Sequence, residues 1–165
     1  MKIRTDFVTN SSSSSYITIR FWGSKSLRKS FDFDRVGQGF YSIRMKDPRE
    51  ALSAAVTTEE VAAILEGSFN LTYGQSFLSE EGFAALMQEV RGAKDVADLG
   101  VLEAESTDDS GDGYENGAAY KLEYDFSART GTFAHARLKD GEVTFSGDPF
   151  LTEEGYEYNP FEIDD

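Results

Sequence analysis

The residues best suited to chemistry sit in one loop. From 108 to 117 the chain reads Asp-Asp-Ser-Gly-Asp-Gly-Tyr-Glu-Asn-Gly. Asp108, Ser110, Asp112 and Gly113 fall at the first, third, fifth and sixth positions of a calcium-binding loop. Hard oxygen ligands at alternate positions suit Ca²⁺, and the glycine permits the sharp turn. Where such a loop needs a bidentate glutamate the chain has Ala119, so Glu115 would have to supply a carboxylate in another arrangement. Asp and Gly also favour plain turns. A solvated loop joining two strands therefore explains the composition without metal, and no cofactor is expected unless calcium binds here.

His135 is the chain's single histidine. On a strand it shares a face with Phe133 and Arg137, and it could serve as a general base with Arg137 beside it. No nucleophile elbow, phosphate loop or zinc-binding helix motif accompanies it, so the other roles of a catalytic site have no candidate. A lone histidine beside an arginine on an amphipathic strand is more often surface or core packing. A non-enzymatic protein is the favoured expectation, with a hydrolytic or metal-dependent module at the acidic loop and His135 as the alternative.

A third feature is a polar run. Phe7, Val8, Asn10, the five serines Ser11, Ser12, Ser13, Ser14 and Ser15, and then Tyr16 stand in order. This string resembles the N-terminal signature of uncharacterised proteins of Firmicutes and their phages, and it spans about a tenth of the chain. The resemblance implies a provenance on a phage or other mobile element, and no particular activity. The serine hydroxyls could be modified, since phosphorylation adds charge and acceptor oxygens. A polar tract also cannot bury enough area to order itself, so residues 1–15 are expected to be a serine-rich leader. A structural protein with a modified leader is a further alternative.

The elements that must position these groups follow from periodicity. Ile17, Ile19 and Phe21 alternate with Tyr16, Thr18, Arg20 and Trp22, which is a half-buried strand. Strands are expected near Ser30–Asp34 and Phe40–Met45, completing an N-terminal meander. Asp47-Pro48-Arg49-Glu50 has an N-cap, a proline at the first helical position and Glu at the third. Thr57 and Glu60 repeat the capping spacing before a helix that Gly67 would end. Phe83, Leu86, Met87 and Val90 form the stripe of a helix over about 79–91. Tyr120, Leu122, Tyr124 and Phe126 then alternate with Lys121, Glu123 and Asp125. Asp140-Gly141 signals a hairpin. The expected fold is α+β: a mostly antiparallel sheet of N-terminal strands and a C-terminal meander, packed against two to three helices. It forms one domain over 16–147. Residues 148–165 read as an acidic aromatic tail, with Phe150, Tyr156 and Phe161 packed down.

Charge separates the possible partners. The chain carries 16 basic and 30 acidic side chains, net −14. Residues 1–49 hold ten basic and four acidic groups, net +6, so the remainder is −20. Basic and aromatic residues interleave from Tyr16 to Arg35, as in single-strand-binding grooves. The −20 body would repel phosphate, so direct nucleic-acid binding is not expected. A basic protein surface is the expected partner, met by Asp108, Asp109, Asp112, Glu115, Glu123 and Asp125. Size and charge resemble those of small acidic inhibitors that mimic DNA. No membrane contact is expected, because no apolar run approaches the ~20 residues of a spanning helix. Met1 to Asp6 lead into polar residues rather than an apolar stretch, so no signal peptide is expected and the location is cytoplasmic. With no cysteine, disulfides and thiol chemistry are excluded.

Overall fold

Alternating apolar side chains need one covered face, and the sheet supplies it. In the computed structural model the described residues are 14–27, 29–36, 41–73, 76–77, 81–110 and 116–161. For 14–15, 33–36, 41–44, 70–73, 76–77 and 108–110 only the backbone is described. The order is β1 (Ser14–Trp22), β2 (Phe31–Val36), β3 (Tyr41–Met45), α1 (Arg49–Ala54), α2 (Thr58–Ser68), β4 (Phe69–Tyr73), β5 (Ser76–Phe77) and α3 (Glu81–Gly92). A 3₁₀ turn (Val96–Leu99) leads to β6 (Val101–Ser110), β7 (Asn116–Asp125), β8 (Thr130–Lys139) and β9 (Glu142–Gly147). Six strands pair in the order β2-β1-β6-β7-β8-β9, all antiparallel. The fold is α+β, as the periodicity indicates.

Register places one apolar row across the sheet. Phe31, Ile19, Ala104, Leu122 and Phe133 are successive cross-strand neighbours, and all are buried. The row above contributes Phe21, Leu102 and Tyr124. Helices α2 and α3 pack together and onto this core face through Val61, Ala62, Leu65, Phe83, Leu86, Met87 and Val90. Phe83 meets Phe31 edge-on at 5.5 Å, and edge-to-face aromatic pairs add to area burial.

Three local expectations change. β3 does not extend a meander with β1 and β2; it pairs with β4 and β5 in a separate three-stranded sheet. β4 follows α2 directly, so the helix runs through Gly67 to Ser68 and hands over to a strand at Phe69. Pro48 is the last non-helical residue of α1, and Asp47 accepts from the Arg49 N–H at 3.0 Å. The Thr57 cap forms as expected, accepting from Glu60 N–H at 3.1 Å, and the Glu60 carboxylate accepts from Val56 N–H.

Residues 148–161 return over the second, outer face of the sheet. Phe150 is 3% exposed and lies on Ala119, Ala134 and Ala136 of β7 and β8, flanked by Val143, Tyr158 and Phe161. Small residues under an aromatic ring let the segment approach the strands closely. Tyr158 takes the place expected of Tyr156, which is exposed. Arg49 anchors the start of this segment by bonding Asp148 at 3.1 Å, and Asp148 also accepts from Phe133 N–H at 2.8 Å.

If the apolar row carries the fold, Leu122→Ala costs about 2–5 kcal/mol and lowers Tm by roughly 5–15 °C. Thr132→Ala, on the exposed face of the adjacent strand, changes stability by less than about 0.5 kcal/mol. Thermal melting of both variants checks this, and equal effects would contradict the assignment of faces.

Candidate partner-binding face

The outer face divides in two. The C-terminal segment covers it over the middle and far ends of β7 and β8. On the part carried by β1, β6 and the near end of β7, Trp22 and Glu123 are exposed, Thr18, Arg20, Glu103 and Glu105 are half-buried, and Thr107 is buried. Alternation decides which side chains stand there. One row runs Arg20, Glu103, Glu123 and Thr132, and the next runs Asp32, Thr18, Glu105 and Lys121. Trp22 sits beyond Arg20 at the end of β1 and is 53% exposed. Its backbone is fixed by Gly100: φ there is +73°, and a side chain would run into the Trp22 carbonyl.

Glu103 and Glu123 are directly opposite across an antiparallel pair, where Cβ atoms lie about 4.5–5.5 Å apart and like charges destabilise. Burial pushes the Glu103 carboxyl above its ordinary range, and Glu105 adds to this. Lys121, a hydrogen bond from Trp22, and Arg20 oppose the shift. The cations nearby have other partners. Arg20 faces Asp32 at 3.6 Å; Lys121 pairs with Glu105 at 3.8 Å and donates to the Leu151 carbonyl. Among the residues whose side chains are described, five carboxylates (Asp32, Glu103, Glu105, Glu123, Asp125) thus share the face with two cations. An exposed indole beside paired carboxylates suits a guanidinium or ammonium group, which gains both an ion pair and a cation–π contact.

The sequence-expected residues are dispersed. Glu123 stands in this face. Asp125 shares it, but its carboxylate accepts the Ser127 and Ala128 N–H groups and so holds the β7–β8 turn. Asp109 lies in register between Ser14 and Gly117 on the outer side, whereas Asp108, between Ser15 and Ala118, is on the core side. Ser110 pairs with Asn116, and Asp112, Glu115 and the calcium-like stretch 111–115 lie outside the described residues. Among the described residues no cluster of three or more His, Asp or Glu is placed to hold a metal ion. Ser14 and Ser15 belong to β1, between β2 and β6; Ser11, Ser12 and Ser13 lie outside the described residues.

His135 is on the core face of β8, the strand next to that of Glu123, and so on the opposite side of the sheet from it. It stacks on Tyr120, with centroids 4.7 Å apart and planes 10° from parallel, and its Nδ1 is 2.9 Å from Ser146 Oγ. Register explains the grouping, because Ser106, Tyr120, His135 and Ser146 are cross-strand neighbours. Burial, then the Arg137 charge, lowers the imidazole pKa. Among the described residues no carboxylate bonds the ring, so the orienting acid of a Ser-His-Asp arrangement is missing there.

Sequence reasoning passed over Glu103 and Glu105 as site residues and weighed Trp22 only within the basic, aromatic N-terminal segment. Their signal was the period-two placement of Glu103 and Glu105 opposite the already alternating β1. Compared with known proteins, the chain matches no family model, no curated protein and no solved structure. No helix among the described residues is long and apolar enough to cross a membrane.

Burial of Glu103 beside Glu105 predicts that Glu103→Gln stabilises the protein at neutral pH. A folded-state pKa above the unfolded one means that ionised Glu103 costs stability above both values. The gain is about 0.2–1 kcal/mol, up to roughly 3 °C in Tm, and it shrinks as pH falls toward 4 and the carboxyl protonates. Melting curves at pH 7 and pH 4 test it; a variant less stable at pH 7 would contradict it.

Proposed function

We propose that this is a non-enzymatic acidic binding module that engages a cationic protein surface through the open half of its outer face. The observation that carries the reading is the Glu103–Glu123 pair beside the exposed Trp22, within a body of net charge −20. Carboxylates in number steer a cationic partner into encounter, and the exposed indole beside them adds a cation–π contact. Surfaces of this cationic kind occur on nucleic-acid-binding proteins, which fits an inhibitor or accessory factor of a phage or mobile element acting in the cytoplasm. Glu123 and Asp109 contribute to the negative field, and Asp125 shapes the turn that bounds it.

Trp22 is the chain's single tryptophan, so its emission reports directly on this face. Titration with an Arg-rich peptide should shift that emission at low salt. Affinity should fall at least about tenfold between 50 and 500 mM salt, because exposed charges are screened within a few ångströms at high ionic strength. Glu103→Lys combined with Glu123→Lys should abolish the response while leaving the fold intact by circular dichroism. Salt-independent binding, or unchanged binding by the double variant, overturns the reading.

A further inference from the structure

The two edges of the six-stranded sheet are managed differently. Edge strand β2 carries Asp32, Asp34 and Arg35 and has α3 beside it. Both features discourage pairing with another chain. Edge strand β9, Glu-Val-Thr-Phe-Ser-Gly, has one charge, at its first residue, and five of its six residues are exposed. Phe145 is exposed on it. Among the described residues, β9 pairs with β8 alone and no hydrogen bond leaves its outer edge.

Two observations fix which backbone groups are free. Asp140-Gly141, with φ of 51° and 81°, is a two-residue turn that makes Lys139 and Glu142 the first pair of the ladder. At the other end Asp148 N–H donates to the Phe133 carbonyl at 2.9 Å. Hydrogen-bonded and non-hydrogen-bonded pairs alternate along an antiparallel ladder, so Glu142, Thr144 and Ser146 turn their backbone toward β8. Val143 and Phe145 therefore turn their N–H and C=O groups outward. Their side chains lie on the outer face beside Phe150 and Tyr158, so an added strand would meet an aromatic platform.

We infer that β9 is a strand-addition site and that its occupant is an extended cationic segment of a protein partner. Main-chain pairing supplies affinity in such additions and alternate side chains supply selectivity. Charge selects the occupant. From 140 to 161 the chain contains Asp140, Glu142, Asp148, Glu153, Glu154 and Glu157 and no basic residue. A second copy would bring another −14 to the same edge. This inference rests on the cationic-partner reading and adds to it a second contact and a binding mode.

The test uses the peptide acetyl-Lys-Val-Lys-Val-Lys-Val-amide and its backbone N-methylated counterpart, which keeps the charge but cannot pair. Amide exchange is followed by NMR on the whole protein. The parent peptide should slow exchange at Val143 and Phe145 by at least about tenfold, and the N-methylated peptide should not. If both peptides shift Trp22 emission and neither protects Val143 or Phe145, cationic binding stands and the edge site falls. If neither peptide produces any response, both readings fall. Protection of the same amides that rises with protein concentration alone, with a dimer in sedimentation, would make a second copy the occupant and overturn the choice of a cationic segment.

Discussion

The seating of Phe150 on Ala119, Ala134 and Ala136 decides what the rest of the sheet can present. A six-stranded antiparallel sheet has two faces, and the helices cover one. Had the outer face been wholly bare, its apolar positions around Ala134, Ala136, Leu138 and Val143 would lie in water. Had it been wholly covered, Glu103 and Glu123 would be buried as an uncompensated pair, which is far more costly than their partial exposure. The C-terminal segment stops between these extremes. It draws Lys121 toward the Leu151 carbonyl and the Tyr158 ring, which leaves Lys121 shared between Glu105 and the segment. Under the segment the sheet is apolar, at Ala119, Ala134 and Ala136, whereas the other half carries its carboxylates on the strands themselves.

Much of the architecture was legible because it rests on local periodicity. Ile17, Ile19 and Phe21, the stripe on α3, and the Asp140-Gly141 turn each announce an element by spacing alone. Sheet membership was less accessible. β3 resembles a third meander strand by its pattern, yet it pairs with β4, a strand hidden behind a helix that ends without a stop signal. The backbone freedom of Gly67, which would have ended α2, mattered less than the tertiary demand for Phe69 in the core, where it meets Phe83 at 6.3 Å. Propensity yields to packing in such cases.

The candidate face shows the same division. Glu123 could be read from the alternation of β7, but its neighbour Glu103 depends on the β6–β7 register, which is a long-range property. Charges adjacent in sequence fall at register positions of opposite parity: Asp108 pairs with Ser15 and Ala118, Asp109 with Ser14 and Gly117. Phe150 lies between 14 and 31 positions from the alanines it covers, so nothing in the alternation of β7 and β8 distinguished an aromatic-covered surface from a core. Alanine at successive outer positions is the trace this packing leaves in the sequence, and it is a weak one.

The central claim is that Trp22 stands in a locally negative field on an open face. Quenching of its emission by caesium and by iodide, each normalised to N-acetyltryptophanamide, measures this directly, because a field of either sign enriches one ion and excludes the other. The account predicts normalised quenching by caesium well above that by iodide, with the difference reduced when Glu103 and Glu123 are both changed to Gln. Iodide quenching equal to or stronger than caesium quenching would contradict it.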